Sequence, residues 1–387
     1  MGWTSADLGF VFSAYTWGTC LWAPIVGWVC DRIGNRKTII VGLILSTAGA
    51  LLLATVQNIW QVYLYYSFFI GFSVSMTLTI TVQSLIRKWF MRKAGTASGI
   101  LNAVTAAAAA LLLPLLTGIA AAWGWRPTLA VATVLMQGIG VFFAFFVIRD
   151  TPESKGLNVD GVSDEELQKI RAALTSRGPA VGELSMTRNE AMKTPQFWLN
   201  GVAQGVQSAA AAGIIGQITM IALSVGLPAA QTGTAATAFM VPSILGRLAG
   251  GWLGDKFGKR QTIIVSGIAS ATIMLGGYLF AKNVVTMYVF LALAGLAMMT
   301  GTVLYPPAWG DMFGRRNLSG IMGIAGFVSG LIYGIGPLLS GLISQSTGSY
   351  NIFFLTLSGF YIVQVILILL KKPTRIELVN MVPKNER

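Results

Sequence analysis

The chain contains no histidine and only two cysteines, Cys20 and Cys30, among its 387 residues. Without histidine no Ser-His-Asp set can form, and metal sites built on imidazole are excluded. The cysteines share one apolar run, where a helix would set them about 15 Å apart, too far for a disulfide. No glycine-rich phosphate loop of the Walker type occurs. Charge is scarce too: 11% of residues are charged and 54% hydrophobic, where a soluble domain carries about 25% charged residues. Such a surface cannot face water on every side. Acids are the rarer sign, 14 against 27 bases, for a net charge of +13. In a soluble chain that excess would point to nucleic acid.

What the chain has in quantity is apolar sequence. Residues 38–56 and 101–125 carry no charge, and runs beyond about 18 residues mark membrane helices. Helical spans are expected at 5–29, 38–56, 61–86, 95–118 and 127–147, then at 195–223, 230–253, 262–281, 285–310, 318–345 and 350–370. The start shows neither a basic n-region nor a cleavage pattern, so it does not read as a signal peptide. The class is an all-α, polytopic membrane protein.

The two halves repeat each other. Gly27-Trp28-Val29-Cys30-Asp31-Arg32-Ile33-Gly34-Asn35-Arg36-Lys37 has its partner in Gly251-Trp252-Leu253-Gly254-Asp255-Lys256-Phe257-Gly258-Lys259-Arg260-Gln261, an offset of 224. Ser98-Gly99-Ile100 and Ser319-Gly320-Ile321 pair at 221, and Pro114 and Pro337 at 223. At these offsets the span at 195–223 has no counterpart in the chain, so the expected architecture is two six-helix bundles present as five plus six. The divisions are a bundle at 1–147, an inter-bundle loop at 148–194, a bundle at 195–371 and a tail at 372–387. In that loop Ser163-Asp164-Glu165-Glu166 reads as a capping box, and Leu167, Ile170 and Leu174 as the stripe of a short surface helix.

With the Asp-containing loops facing the cytoplasm, 24 of the 27 basic residues fall inside, and only Arg126 and Lys282 outside. This positive-inside split sets the C-terminus in the cytoplasm and residue 1 on the outer side of an inner membrane. Topology therefore accounts for the net charge, without nucleic acid.

The pattern Gly27-x-x-x-Asp31-Arg32-x-Gly34-x-Arg36-Lys37, echoed from Gly251 through Asp255, Lys256 and Arg260, resembles the loop motif of the major facilitator superfamily. The resemblance covers essentially the whole chain. It implies the two-bundle fold and alternating access to a site near the bilayer midplane. It also implies that Gly27, Asp31, Arg32, Gly34, Arg36, Gly251, Asp255, Lys256 and Arg260 act as a conformational latch. Gly27 and Gly251 would allow close helix approach, and Asp31 and Asp255 would hold a base or a helix N-terminus.

One base remains. Arg247 lies eight residues before Asp255, about 12 Å into a core roughly 30 Å thick. Burial there costs at least about 2.5 kcal/mol, which by default marks a function. A planar guanidinium grips a carboxylate bidentately. Its place before the loop Asp resembles monocarboxylate transporters and oxalate:formate antiporters. The stretch Trp89-Phe90-Met91-Arg92-Lys93-Ala94-Gly95-Thr96-Ala97-Ser98-Gly99 is also similar to that branch. Many monocarboxylate transporters carry an Asp where this chain has Ser243, and oxalate carriers add a Lys that 316–370 lacks. One cation favours one carboxylate. Asn102, Tyr333, Gln207 and Tyr66 are further candidates for substrate binding, with Gln204 and Thr77. The expected substrate is a small monocarboxylate such as lactate or pyruvate, carried with a proton. Organic-anion exchange, amphiphile efflux and a non-transporting sensor are the alternatives. The expected unit is a monomer in a lipid bilayer, with no cofactor, no metal and no enzymatic activity.

Overall fold

The computed structural model describes residues 5–90, 92–161, 163, 185–228, 231–336, 339, 343 and 350–374. Most of the expected surface helix after Ser163, including Leu167, Ile170 and Leu174, lies outside them. The described residues are helical, with no strand. The first bundle holds α1 (Ser5–Ile33), α2 (Asn35–Ala54), α3 (Ile59–Trp89), α4 (Ala94–Trp123) and α5 (Trp125–Phe146). A short α6 (Arg188–Met192) precedes α7 (Pro195–Ser224), α8 (Thr232–Phe257), α9 (Lys259–Phe280), α10 (Val284–Phe313), α11 (Leu318–Tyr333) and α12 (Tyr350–Leu370). Eight of these helices are long and apolar enough to cross a membrane. The chain is a multi-pass membrane protein.

Local chemistry sets the joints. One glycine turns α1 into α2 and another turns α8 into α9: Gly34 at φ 90° and Gly258 at φ 96°. An L side chain rarely tolerates that conformation. At Gly34 a Cβ would also stand 2.6 Å from Asp150, whose carboxylate accepts the Arg36 backbone N–H at 2.8 Å and so caps α2. α10 is broken at Val303–Leu304 into Val284–Thr302 and Tyr305–Phe313. Pro306 and Pro307 open its second piece, where a missing N–H costs least. α3 widens into π-helical turns over Tyr63–Ile70 and Ser75–Thr79.

Shifting the first bundle by 224 superposes its connectivity on the second. α2 packs on α5 as α9 packs on α12, and α1 packs on α3 as α8 packs on α10. In the second bundle α7 covers α11 and α12. Their counterparts α4 and α5 have no such neighbour among the described residues. Of the membrane window, 6% is buried in α5 and 44% in α12.

The bundles meet along α1–α11 and α8–α4, two crossings related by the same repeat. One apolar cluster joins both bundles at the end bearing the Asp motifs, hereafter the motif end. There Val26, Met76 and Ile80 pack with Phe197, Trp309, Phe313 and Ile321.

Candidate functional site

At the motif end each motif Asp reaches into the other bundle. Asp31 accepts the Gly320 backbone N–H at the start of α11, at 2.7 Å. Asp255 accepts from Gly95 at 2.8 Å and Thr96 at 2.6 Å, at the start of α4. Each carboxylate thus meets the positive end of a helix dipole and satisfies N–H groups with no partner inside the helix. The glycines make this possible: a Cβ on Gly27 would strike the Ser319 carbonyl, and one on Gly251 the Gly95 carbonyl.

The other motif residues work within their own bundle. Arg32 lies 4.1 Å from the centroid of the Trp28 ring, and Lys256 lies 4.6 Å from that of Trp252. Arg36 donates to the carbonyls of Ala144 and Phe145, closing the end of α5. Arg260 does the same to Ile368 and Leu369 at the end of α12. Gly34 serves the turn described above.

Sequence reasoning missed an ion pair that joins the bundles. Asp311, in the last turn of α10, forms an ion pair with Arg87 of α3 and a 2.6 Å pair with Lys259 of α9. Arg87 is 3% exposed. Around this pair, Ser84 and Ser319 hydroxyls meet at 3.0 Å across the interface, and Arg315 donates to the Lys88 carbonyl. Arg315, outside the spans, has its pKa lowered by burial, the Glu153 and Asp160 carboxylates opposing that shift. A signal was present: Arg87 and Asp311 are 224 residues apart, so aligning the repeat sets a base against an acid. The motif end is sealed.

Arg247 stands one bundle-crossing away from that seal. Side chains on a helix lean toward its N-terminus, which carries the guanidinium away from the motif end. There Arg247 Nη1 donates to the Ser243 hydroxyl at 2.8 Å. No carboxylate among the described residues pairs with it. Opposite it, Gly99 of α4 comes so close that a Cβ would lie 2.6 Å from the Arg247 carbonyl. Asn102 is one turn further along α4 on the same face as Gly99, half-buried, its amide donating to the Ser98 carbonyl at 2.8 Å. Arg247 and Asn102 therefore flank a single crossing. Of five guanidinium N–H groups, one goes to Ser243, and those left can grip a carboxylate.

The remaining candidates lie elsewhere. Tyr66 stacks on Tyr15 with centroids 4.7 Å apart, and Tyr333 completes a tyrosine group far from the motif end, within electrostatic reach of Tyr15. Gln207 is buried inside the second bundle, donating to the Met298 carbonyl at 3.2 Å and the Thr302 hydroxyl at 3.1 Å. Gln204 accepts from the Trp309 indole at 2.9 Å, and Thr77 donates to the Ser73 carbonyl at 2.9 Å. The structure sets Asn102 on the face of α4 that meets the Arg247 backbone through Gly99, groups Tyr66 and Tyr333 with Tyr15, and bonds Gln207 to α10.

A sequence model of the Major Facilitator Superfamily matches residues 1–199 and again 197–386. The chain belongs to this superfamily. Among its relatives is the Probable sulfoacetate transporter SauU of Cupriavidus necator, 23% identical, with 92% of this chain and 82% of that protein covered. Monocarboxylate transporter 12 of Xenopus laevis is 22% identical over 92% of this chain and 78% of its own length. The solved proton:xylose symporter XylE has a TM-score of 0.76 at 11% identity, covering 98% of this chain and 90% of that one. At that identity the likeness shows the fold alone. The family and the relatives named here are superfamily transporters, not enzymes.

Proposed function

We propose that this superfamily member carries small organic anions, a monocarboxylate such as lactate or pyruvate in particular, together with a proton. Arg247 carries the reading: it is a guanidinium about 12 Å inside the membrane whose hydrogen-bond partner is the Ser243 hydroxyl and whose natural complement is a carboxylate. Asn102, on the α4 face that meets the Arg247 backbone through Gly99, is assigned the amide for a second polar group on the substrate. The names of the sulfoacetate and monocarboxylate transporters among the relatives fit an organic-anion carrier. Asp31, Asp255, Gly27 and Gly251 form the latch that holds the motif end shut, and Tyr66 and Tyr333 line the opposite end of the path. By the positive-inside rule the motif end is cytoplasmic and residue 1 faces outward in a bacterial inner membrane. The working unit is a monomer.

One observation favours a second reading, exchange of one anion for another: the partner of Arg247 is a serine hydroxyl, which does not titrate in the physiological range. Uptake of labelled L-lactate by proteoliposomes separates the two. An inward proton gradient accelerates symport, whereas exchange needs lactate already inside and ignores the gradient. Equal uptake by wild type and Arg247→Ala overturns the assignment of Arg247.

A further inference from the structure

Arg87 and Asp311 occupy the same position in the two halves of the repeat, 224 residues apart, and are bonded to each other. Two equivalent positions can touch only where the pseudo-twofold axis runs, between the bundles. Any solute moving from the Arg247 level to the motif end must pass that axis. Arg87 is almost wholly buried there, and the side chain of Asp311 keeps 23% exposure. The group Arg87 holds is a carboxylate, the group by which Arg247 is read to recognise substrate. Lys259 and Lys371 face the same carboxylate, so the floor of the path gathers positive charge around one acid. The counterpart of Lys259 in the first bundle is Asn35, so this cluster is a departure from the repeat and not a product of it.

We infer that Arg87 is a second anion station on the substrate path, and that Asp311 occupies it while the motif end is closed. The substrate carboxylate, descending from Arg247, takes the place of Asp311 on Arg87, and the exchange of one carboxylate for another unlocks the bundles. Breaking the Arg87–Asp311 pair without replacement would leave a buried guanidinium without its counter-charge, which is costly. An incoming carboxylate removes that cost, so the seal yields to an anion and resists opening when empty. This rests on the assignment of a carboxylate substrate to Arg247.

The test uses the full chain in proteoliposomes of one orientation, with labelled L-lactate offered at the motif face and, separately, at the opposite face. The quantity read is the ratio of KM at the motif face to KM at the opposite face. Asp311→Asn empties the station and leaves Arg87 in place, so the ratio falls about threefold; Arg87→Gln/Asp311→Asn removes the station, so it rises about tenfold. A lock with no affinity for substrate moves both variants in the same direction or neither, and either result overturns the station. Monodisperse elution in detergent identifies a folded preparation, and should the double variant fail it, Arg87→Met/Asp311→Asn, which also removes the station, is read in its place against Asp311→Asn. Absence of lactate transport by wild type overturns the carboxylate assignment and this inference with it. Arg247→Ala, which raises KM from both faces, marks the failure of one from that of the other.

Discussion

Arg36 and Arg260 make the same pair of hydrogen bonds in the two halves of the molecule. Arg36 Nε donates to the Ala144 carbonyl at 3.3 Å, and Arg260 Nε to the Ile368 carbonyl at 3.3 Å, with the second guanidinium nitrogen reaching the next carbonyl in each case. Each closes the C-terminal end of the last helix of its own bundle, where carbonyls lack partners and a cation is favoured by the dipole. Their role is therefore inside a bundle, although the motif they belong to spans the interface.

That placement separates stability from gating. Arg36→Ala and Arg260→Ala should each lower thermal stability in detergent, by about 1.5–3 kcal/mol for charge-assisted bonds, and by similar amounts. Fluorescence-monitored unfolding checks this. A much larger loss for one than for the other would break the equivalence of the two sites.

How much of this was legible in sequence depends on what carried the information. The repeat was, because Gly27–Lys37 and Gly251–Gln261 preserve residue identity at positions fixed by turns and close contacts. The register of α4 against α11 was not. Identity pairs Ser98 with Ser319 at 221, but the structure sets Gly95, which meets Gly251, equivalent to Ser319, which meets Gly27, at 224. A slip of three residues nearly completes one helical turn, so the wrong register presents almost the right face. Arg87 and Asp311 escaped notice because neither resembles the other. Complementary residues replace identical ones where a repeat meets itself, and similarity searching passes over them.

The sealed motif end predicts a cross-link. Ser84 and Ser319 hydroxyls are 3.0 Å apart and belong to different bundles. With Cys20 and Cys30 replaced by serine, Ser84→Cys/Ser319→Cys should oxidise readily and arrest lactate flux, and reductant should restore it. Undiminished transport by the cross-linked protein would mean that this end never parts, and alternating access through it would be wrong.

Arg247 should respond to geometry as well as charge. Arg247→Lys keeps the cation and loses the planar fork, so KM for L-lactate should rise about tenfold, near 1.4 kcal/mol. Ser243→Ala removes the hydroxyl that accepts from Arg247; the guanidinium stays but is no longer aimed, and KM should rise by a factor of about 2–10 for one hydrogen bond. Initial-rate uptake measures both. An Arg247→Lys variant indistinguishable from wild type would remove the bidentate carboxylate from the account.

Gln207 offers the opposite case, a polar residue of α7 whose amide N–H groups bond within its own bundle. Its amide N–H groups bridge α7 to α10, yet its Oε1 is buried with no hydrogen-bond partner. Gln207→Met keeps the length of the side chain, loses two bonds of about 1 kcal/mol each, and removes one buried unpaired oxygen, whose desolvation costs about 1–3 kcal/mol. Thr302 retains its bond to the Met298 carbonyl at 2.9 Å, so nothing is stranded by the change. These terms nearly cancel, and the variant should unfold within about 1 kcal/mol of wild type with KM for L-lactate close to that of the parent. A KM raised about tenfold with unchanged stability would place Gln207 against the substrate in the state open to the motif end, since a purely internal bridge has no route by which to weaken binding that much.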